Sequence, residues 1–239
     1  MSITLYIVSK VLKFQLSDML LVTHSHIDHL MDVPDVVKNT GCAVYGSSNT
    51  CKILSCFQVP KECICGVEEG DKLNLGEFKV EVLHANHRNV LGFSAGSLVY
   101  PIQPPFRARQ YRMDRCFAFH ISAGGISFMT DPGINSSAKN LKRADVLFIS
   151  ACYSEEYYRL LFKVVEPKIL IPIHWNNFFY SLSVPLKPYF KPPSKKFPFL
   201  RKVDLNEFRE IIEKINPELK VLIPEIFKLY DMSELNRVG

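Results

Sequence analysis

The stretch Thr23-His24-Ser25-His26-Ile27-Asp28-His29-Leu30 packs three imidazoles and one carboxylate into six consecutive positions, 24 to 29. Neutral imidazole nitrogens and carboxylate oxygens are the donors that zinc, iron and manganese accept. The cluster directly follows Met19-Leu20-Leu21-Val22, a short apolar run. A His-x-His pair at the end of a buried strand suits a loop that wraps one ion, and Asp28 and His29 then project toward a second position. A lone histidine is usually a solvated side chain, but this grouping predicts a metal centre. Other catalytic signatures are absent. The chain has no Gly-rich phosphate loop and no serine nucleophile in a G-x-S-x-G turn. Cys63-Ile-Cys65 has no second cysteine pair to complete a metal site, so its thiols are expected to be structural.

These residues need a scaffold, and the sequence predicts an alternation of strands and helices. Met19–Thr23, continuously apolar, reads as a strand covered on both faces. A helix over about 34–39 follows, with Pro34 tolerable only in its first turn and Gly41 closing it. Ala43-Val44-Tyr45 is the next strand. Residues 71–84 read as a hairpin turning at Gly76-Glu77, and Cys116–Ser122 with Ile126–Thr130 as a second. Asp145–Ala151 is a strand, Glu155 to Val165 a helix, and Lys168–Ile173 a strand that runs into His174. Asp204 is a candidate N-cap, with Glu207 three residues on completing a capping box for a helix over Leu205–Ile215. Leu219–Ile223 closes the series. Such alternation points to an α/β fold.

The motif at 24–29 resembles the H-x-H-x-D-H signature of the metallo-β-lactamase superfamily, matching it at all four ligand positions. The resemblance runs from Asp18 to the C-terminus. It implies a four-layer αββα sandwich in a single domain over 1–239, with two divalent metal ions at the ends of strands. It also implies three further ligands. The third histidine of the first metal falls on His87, in Ala85-Asn86-His87, with His84 the alternative at a position where relatives often carry proline. Asp131, in Thr130-Asp131-Pro132-Gly133, matches the bridging aspartate, although relatives usually have glycine where Thr130 stands. His174, in Pro172-Ile173-His174-Trp175, matches the last ligand. That segment is similar to the branch holding ascorbate-phosphate lactonase-like proteins and the phospholipase that cleaves N-acyl-phosphatidylethanolamines. His120 reads as a structural strand histidine.

The implied ligand sets are His24, His26 and His87 for one ion, and Asp28, His29 and His174 for the other, with Asp131 bridging. Zinc is the first expectation, with manganese or iron as alternatives. A bridging water between two such ions becomes hydroxide near neutral pH, and Asp28 and Asp131 are candidates to orient it or relay a proton. The expected reaction is hydrolysis of an anionic phosphate ester or diester, or of a lactone-type ester. Competing readings are a nuclease of the same superfamily and an inactive metal-binding scaffold. The first would want a basic arm and an extra domain, and the net charge is only +5. The second is opposed by seven ligand positions that all carry competent residues.

Relatives carry several strands ahead of the motif, where this sequence has only Met1–Thr23. The first sheet is therefore expected to be reduced at its N-terminal edge, with Ile3–Val8 filling in as a strand. A free edge invites pairing with a second copy, so a homodimer is expected. Seven cysteines, an odd count, with no secretory leader and no apolar stretch of membrane-spanning length, predict a cytoplasmic protein with reduced thiols. Two segments break the α/β rhythm. Residues 97–115 carry Arg107, Arg109, Arg112 and Arg115, and 185–202 carry five prolines and six Lys or Arg residues, Lys187, Lys191, Lys195 and Lys196 among them. Long loops in compact domains are often functional. These two are expected to rim the metal cleft and favour an anionic small-molecule substrate, with Tyr100, Phe106, Tyr111, Trp175, Phe178, Phe179 and Tyr180 covering its apolar part.

Overall fold

A computed structural model describes residues 5–7, 19–87, 94–98, 102–133, 141–177, 185–191, 201–225, 228 and 230–231. The chain divides into two compact units, one made of residues 2–71 and 82–119, the other of residues 1, 72–81 and 120–239.

The unit that carries the histidine motif has a four-stranded sheet. β1 (Leu5–Ile7) pairs antiparallel with β2 (Met19–Leu21) in the register Leu5↔Leu21. A strand therefore does form inside Ile3–Val8, at the edge of this sheet. After β2 come α1 (Ile27–Leu30), α2 (Val33–Thr40), β3 (Ala43–Gly46), α3 (Ser48–Cys56) and β4 (Ile64–Gly66). The strand order is β1-β2-β3-β4, with β2, β3 and β4 parallel. Parallel strands are covered on both faces, and β2 is buried at each of its positions. Leu20 and Val22 pack with Val44, Leu30, Val33, Val37, Ile53 and Leu54 in one core cluster. α2 begins with Pro34 in its first turn and ends as expected at Gly41, whose φ of 71° is left-handed and whose N–H closes on the Val37 carbonyl at 2.7 Å.

The sequence pattern does not point to α3. Its opening, Ser47-Ser48-Asn49-Thr50, is polar and resembles a loop. Ser47, Asn49 and Thr50 are nevertheless fully buried. Asp114, far along the chain, accepts from Ser47 Oγ at 2.6 Å and from the Asn49 N–H at 2.9 Å, so its carboxylate sits at the helix N-terminus, where negative charge is favoured.

The second unit is organised on a seven-stranded sheet. In chain order its elements are β5 (Lys72–Leu75), β6 (Phe78–His84), β7 (Phe117–Ala123), β8 (Ile126–Met129), β9 (Val146–Ser150), α4 (Glu155–Val165), β10 (Ile169–Ile173), β11 (Phe190–Lys191), β12 (Arg201–Lys202), α5 (Leu205–Ile215) and β13 (Lys220–Val221). The sheet order is β13-β10-β9-β8-β7-β6-β5. Strands β8, β9, β10 and β13 run parallel, and the two expected hairpins, β5–β6 and β7–β8, form the antiparallel part. All five residues of β10 are buried, which is why it reads as an unbroken apolar run. α4 and α5 occupy the predicted ranges. Tyr158 of α4 and Phe208 of α5 meet edge-on with ring centroids 5.6 Å apart. Asp204 caps α5 by accepting from the Asn206 N–H at 2.8 Å, and the Glu207 carboxylate takes Arg201 at 2.7 Å.

The segment 185–202 departs from the expected irregular loop. Within it β11 and β12 pair antiparallel, with Phe190 opposite Lys202. Lys195 and Lys196 lie outside the described residues. The architecture is mixed α/β, with sheets flanked by helices. No helix among the described residues is long and apolar enough to cross a membrane.

Candidate metal centre

β2 delivers the motif. Its apolar residues anchor the strand, and the Phe117 N–H bonds the Thr23 carbonyl at 2.8 Å, which holds the strand end in place. The chain then turns. His26 is the extended N-cap of α1, and the His29 N–H returns to the His26 carbonyl at 3.0 Å. This single helical turn carries Asp28 and His29 on the residues just after the His-x-His pair.

His87 arrives from β6. That strand ends at His84, and the Ala85 N–H bonds the Cys116 carbonyl at 3.0 Å, so the next two residues lead His87 back to the motif. Its ring centroid lies 4.7 Å from that of His24 and 4.6 Å from that of His26. His24, His26 and His87 each offer a ring nitrogen within 4.8 Å of the other two. Ligands about 2.0–2.1 Å from one zinc ion would come from such a triangle.

The alternative histidine goes elsewhere. His84 places Nδ1 3.2 Å from Glu69 Oε2 and Nε2 3.2 Å from Asn86 Oδ1, and its side chain is 44% exposed. His120 places Nε2 3.0 Å from the Arg143 carbonyl. Cys63 donates to the Gly41 carbonyl at 3.6 Å, and among the described residues no thiol joins a metal-ligating cluster.

The local chemistry fits a cation. His26 Nε2 lies 3.3 Å from the Ser94 carbonyl. A carbonyl only accepts, so Nε2 carries the proton and Nδ1 keeps the lone pair a metal needs. Burial, with His87 as the next cause, lowers the His26 pKa to about 4. Burial likewise lowers His29 to about 3. Both rings are therefore neutral at pH 7, the form that ligates. Asp28 places Oδ2 3.4 Å from His29 Nε2, while its Oδ1 is buried with no hydrogen-bond partner among the described residues. A buried carboxylate oxygen without a donor is costly, and a cation would remove that cost.

In the other unit, Asp131 follows β8. Its Oδ1 accepts from the Gly133 N–H at 2.8 Å and from the Tyr153 hydroxyl at 3.0 Å, and its Oδ2 accepts from the Ser150 N–H at 2.9 Å. Three donors thus set the orientation of this carboxylate. Burial, then the neighbouring Asp131 charge, pushes the Tyr153 pKa up, so the phenol stays protonated and donating. No motif in the sequence singles out Tyr153. The signal that could have found it is its place directly after β9, at a strand end, where the ligands themselves sit. His174 follows β10 with a left-handed φ of 54°, and its carbonyl accepts from Cys152 Sγ at 3.7 Å.

The segment 97–115 is tied down by Asn49, which is fully buried. Its Nδ2 donates to the carbonyls of Gly96 at 3.0 Å and Arg112 at 2.7 Å, and its Oδ1 accepts from the Leu98 N–H at 3.1 Å. Asn49→Ala is expected to destabilise the chain by roughly 3 kcal/mol or more, since several partners lose their bonds at once. Urea unfolding of the variant checks it, and an unchanged midpoint would refute the anchoring role. Two side chains of this segment do not serve as expected. Phe106 and Tyr111 pack into the core with Phe57, so they are structural. Arg115 pairs with Glu68 at 3.9 Å. Tyr100, Phe178, Phe179 and Tyr180 lie outside the described residues.

Comparison with known proteins bears on the fold and the family. The family described as a beta-lactamase superfamily domain matches residues 9–175. A UPF0173 metal-dependent hydrolase of Staphylococcus aureus (strain JH9) is 25% identical over 169 residues, covering 67% of this chain and 69% of that protein. Among solved structures, Igni18, a metallo hydrolase from Ignicoccus hospitalis, superposes with a TM-score of 0.57 at 17% identity, over 90% of this chain and 81% of its own. YhfI of Bacillus subtilis, a metallo-beta-lactamase fold protein, superposes at 0.54 with 13% identity, over 90% and 78%. At such identities the likeness shows a common fold.

Proposed function

The chain belongs to the metallo-β-lactamase superfamily, and on that premise we propose that it is a metal-dependent hydrolase of anionic phosphate esters or diesters. The observation that carries this reading is the convergence of His24, His26 and His87, three imidazole rings brought from two separate strands. They would hold one ion. By their order along the chain, Asp28, His29, Asp131 and His174 match the remaining ligands of that superfamily and would serve a second. Bound ions of this kind supply Lewis acidity, both for activating water at neutral pH and for polarising the scissile bond.

The chain's own residues do the rest. The Ser94 carbonyl keeps the His26 proton on Nε2. The Thr23 hydroxyl, 3.1 Å from His24 Nδ1, orients that ring. The Tyr153 hydroxyl and two backbone N–H groups hold the Asp131 carboxylate in place. Asp28 or Asp131 would orient the attacking water or pass a proton to the leaving oxygen. The phosphate preference draws its support from the arginines of 97–115 and the net charge of +5.

Elemental analysis and a small substrate panel test the proposal. The purified chain is expected to hold about two divalent ions and to hydrolyse bis(p-nitrophenyl) phosphate faster than p-nitrophenyl acetate or a simple lactone, with activity lost on chelation. Absence of bound metal would overturn the metal reading. Preference for the lactone or the acetate would overturn the phosphate assignment.

A further inference from the structure

The His-x-His motif is hydrogen-bonded on two sides to the lining of a small cationic cavity. The cavity has a volume of about 280 Å³ and is lined, among the described residues, by Ser94, Leu98, Ile102, Arg109, Gln110 and Arg112. All six belong to the same compact unit as His24, His26 and His87. Ser25, the residue between the two histidines, donates Oγ to the Arg112 carbonyl at 2.6 Å. His26 reaches the Ser94 carbonyl at 3.3 Å. The cavity wall is thus one hydrogen bond from the motif at two points, one of them the candidate ligand His26.

The charged side chains of this wall, Arg109 and Arg112, are donors. Arg112 is held in a fixed pose: Nη2 donates to the Ala95 carbonyl at 2.6 Å. Its guanidinium lies so close to Gly96 that an added Cβ would stand 3.0 Å from Nη2, and Gly96 has a φ of +98°, which disfavours any other residue. Its Nε is buried and has no hydrogen-bond partner among the described residues. Gln110 uses Oε1 to accept the Arg107 N–H at 2.7 Å, and its NH2 group adds further donors. Arg109 is exposed and lines the cavity. Among the described residues neither Arg109 nor Arg112 has a carboxylate partner, unlike Arg115, which pairs with Glu68. Two guanidiniums without a carboxylate partner among the described residues, one of them with a buried N–H that nothing described accepts, stand beside apolar Leu98 and Ile102, and an acceptor-rich anion is the partner they fit.

We infer that Arg109 and Arg112 form a phosphate-binding pocket beside the metal motif and select the substrate by a phosphate group it carries. This rests on the reading of the chain as a hydrolase of anionic esters, and it deepens it. Of the four arginines in 97–115, it assigns the role to two. Arg115 is engaged elsewhere, and Arg107 does not line the cavity.

Binding and kinetics test it separately. Inorganic phosphate is titrated calorimetrically, at low salt, into the intact chain freed of metal by chelation. Phosphate is expected to bind, with affinity reduced at least tenfold in R109A and in R112A and unchanged in R115A. R109A, at an exposed position, guards against a folding defect in R112A. In the metal-loaded chain, R109A is expected to raise KM for bis(p-nitrophenyl) phosphate at least tenfold. No phosphate binding by the chelated chain, or undiminished binding by both arginine variants, would overturn the pocket even if hydrolysis is found. Arginine-dependent phosphate binding in a chain that hydrolyses no phosphate ester would support the pocket and sink the proposed reaction instead.

Discussion

His87→Ala is expected to cut hydrolytic activity by about a thousandfold or more and to lower the bound metal by about one ion per chain, because a Lewis-acid contribution of several kcal/mol disappears with the ion. The ring stands 4.7 and 4.6 Å, centroid to centroid, from the rings of His24 and His26, and no other described side chain of that strand end could replace it. His84→Ala is the matched control, three residues away. His84 is engaged with Glu69 and Asn86, so its removal is expected to leave metal content intact and activity within about twofold, the scale of a surface ion pair. Metal analysis and kcat/KM on both variants decide the matter. Equal losses in the two, or loss in His84→Ala alone, would show that the wrong histidine has been assigned.

Asp131→Asn has the second largest expected effect. The carboxylate accepts from the Gly133 N–H, the Tyr153 hydroxyl and the Ser150 N–H. An asparagine that keeps its oxygen toward Gly133 and Tyr153 turns its NH2 toward the Ser150 N–H, donor against donor, at a cost of about 1–3 kcal/mol. If Asp131 also joins the two ions, the loss of its charge weakens both. Activity is expected to fall by about 10²–10⁴, the range set by removal of a proton-transfer or charge-stabilising group, together with a drop in Tm and in metal content. Tyr153→Phe removes one of the three donors but keeps the carboxylate. It is expected to retain metal and to lose about 1 kcal/mol of stability. A variant Asp131→Asn with full metal content and activity would remove the bridging role, leaving Asp131 as a structural brace for the β8 and β9 strand ends.

Local chemistry makes much of this protein legible in its sequence alone. The ligand cluster at 24–29 is visible because imidazole and carboxylate side chains are rarely concentrated after a buried strand without a cation to hold. β10 and β9 read as buried strands because residues covered on both faces must be apolar throughout. α4 and α5 are legible because an amphipathic stripe and a side-chain cap are properties of neighbouring residues. Each of these signals is complete within a dozen residues.

What stays hidden depends on partners distant in sequence. α3 resembles a loop because its polar first turn is satisfied by Asp114, more than sixty residues on. Composition shows four arginines in 97–115 but not their division of labour. Only folding sets Arg115 against Glu68, buries Phe106 and Tyr111 in the core, and ties Arg112 to Ser25. The choice between His84 and His87 is open to a residue-by-residue reading, and it is the return of the chain after β6, bonded to the Cys116 carbonyl, that turns one ring toward His24 and His26 and the other toward Glu69. The sequence by itself determined which donor atoms are available and which strands carry them, since those follow from residue type and periodicity. Where the donors meet, and which cations around them are left without a carboxylate, was decided by tertiary structure, because long-range hydrogen bonds and burial are relations between segments that no local pattern encodes.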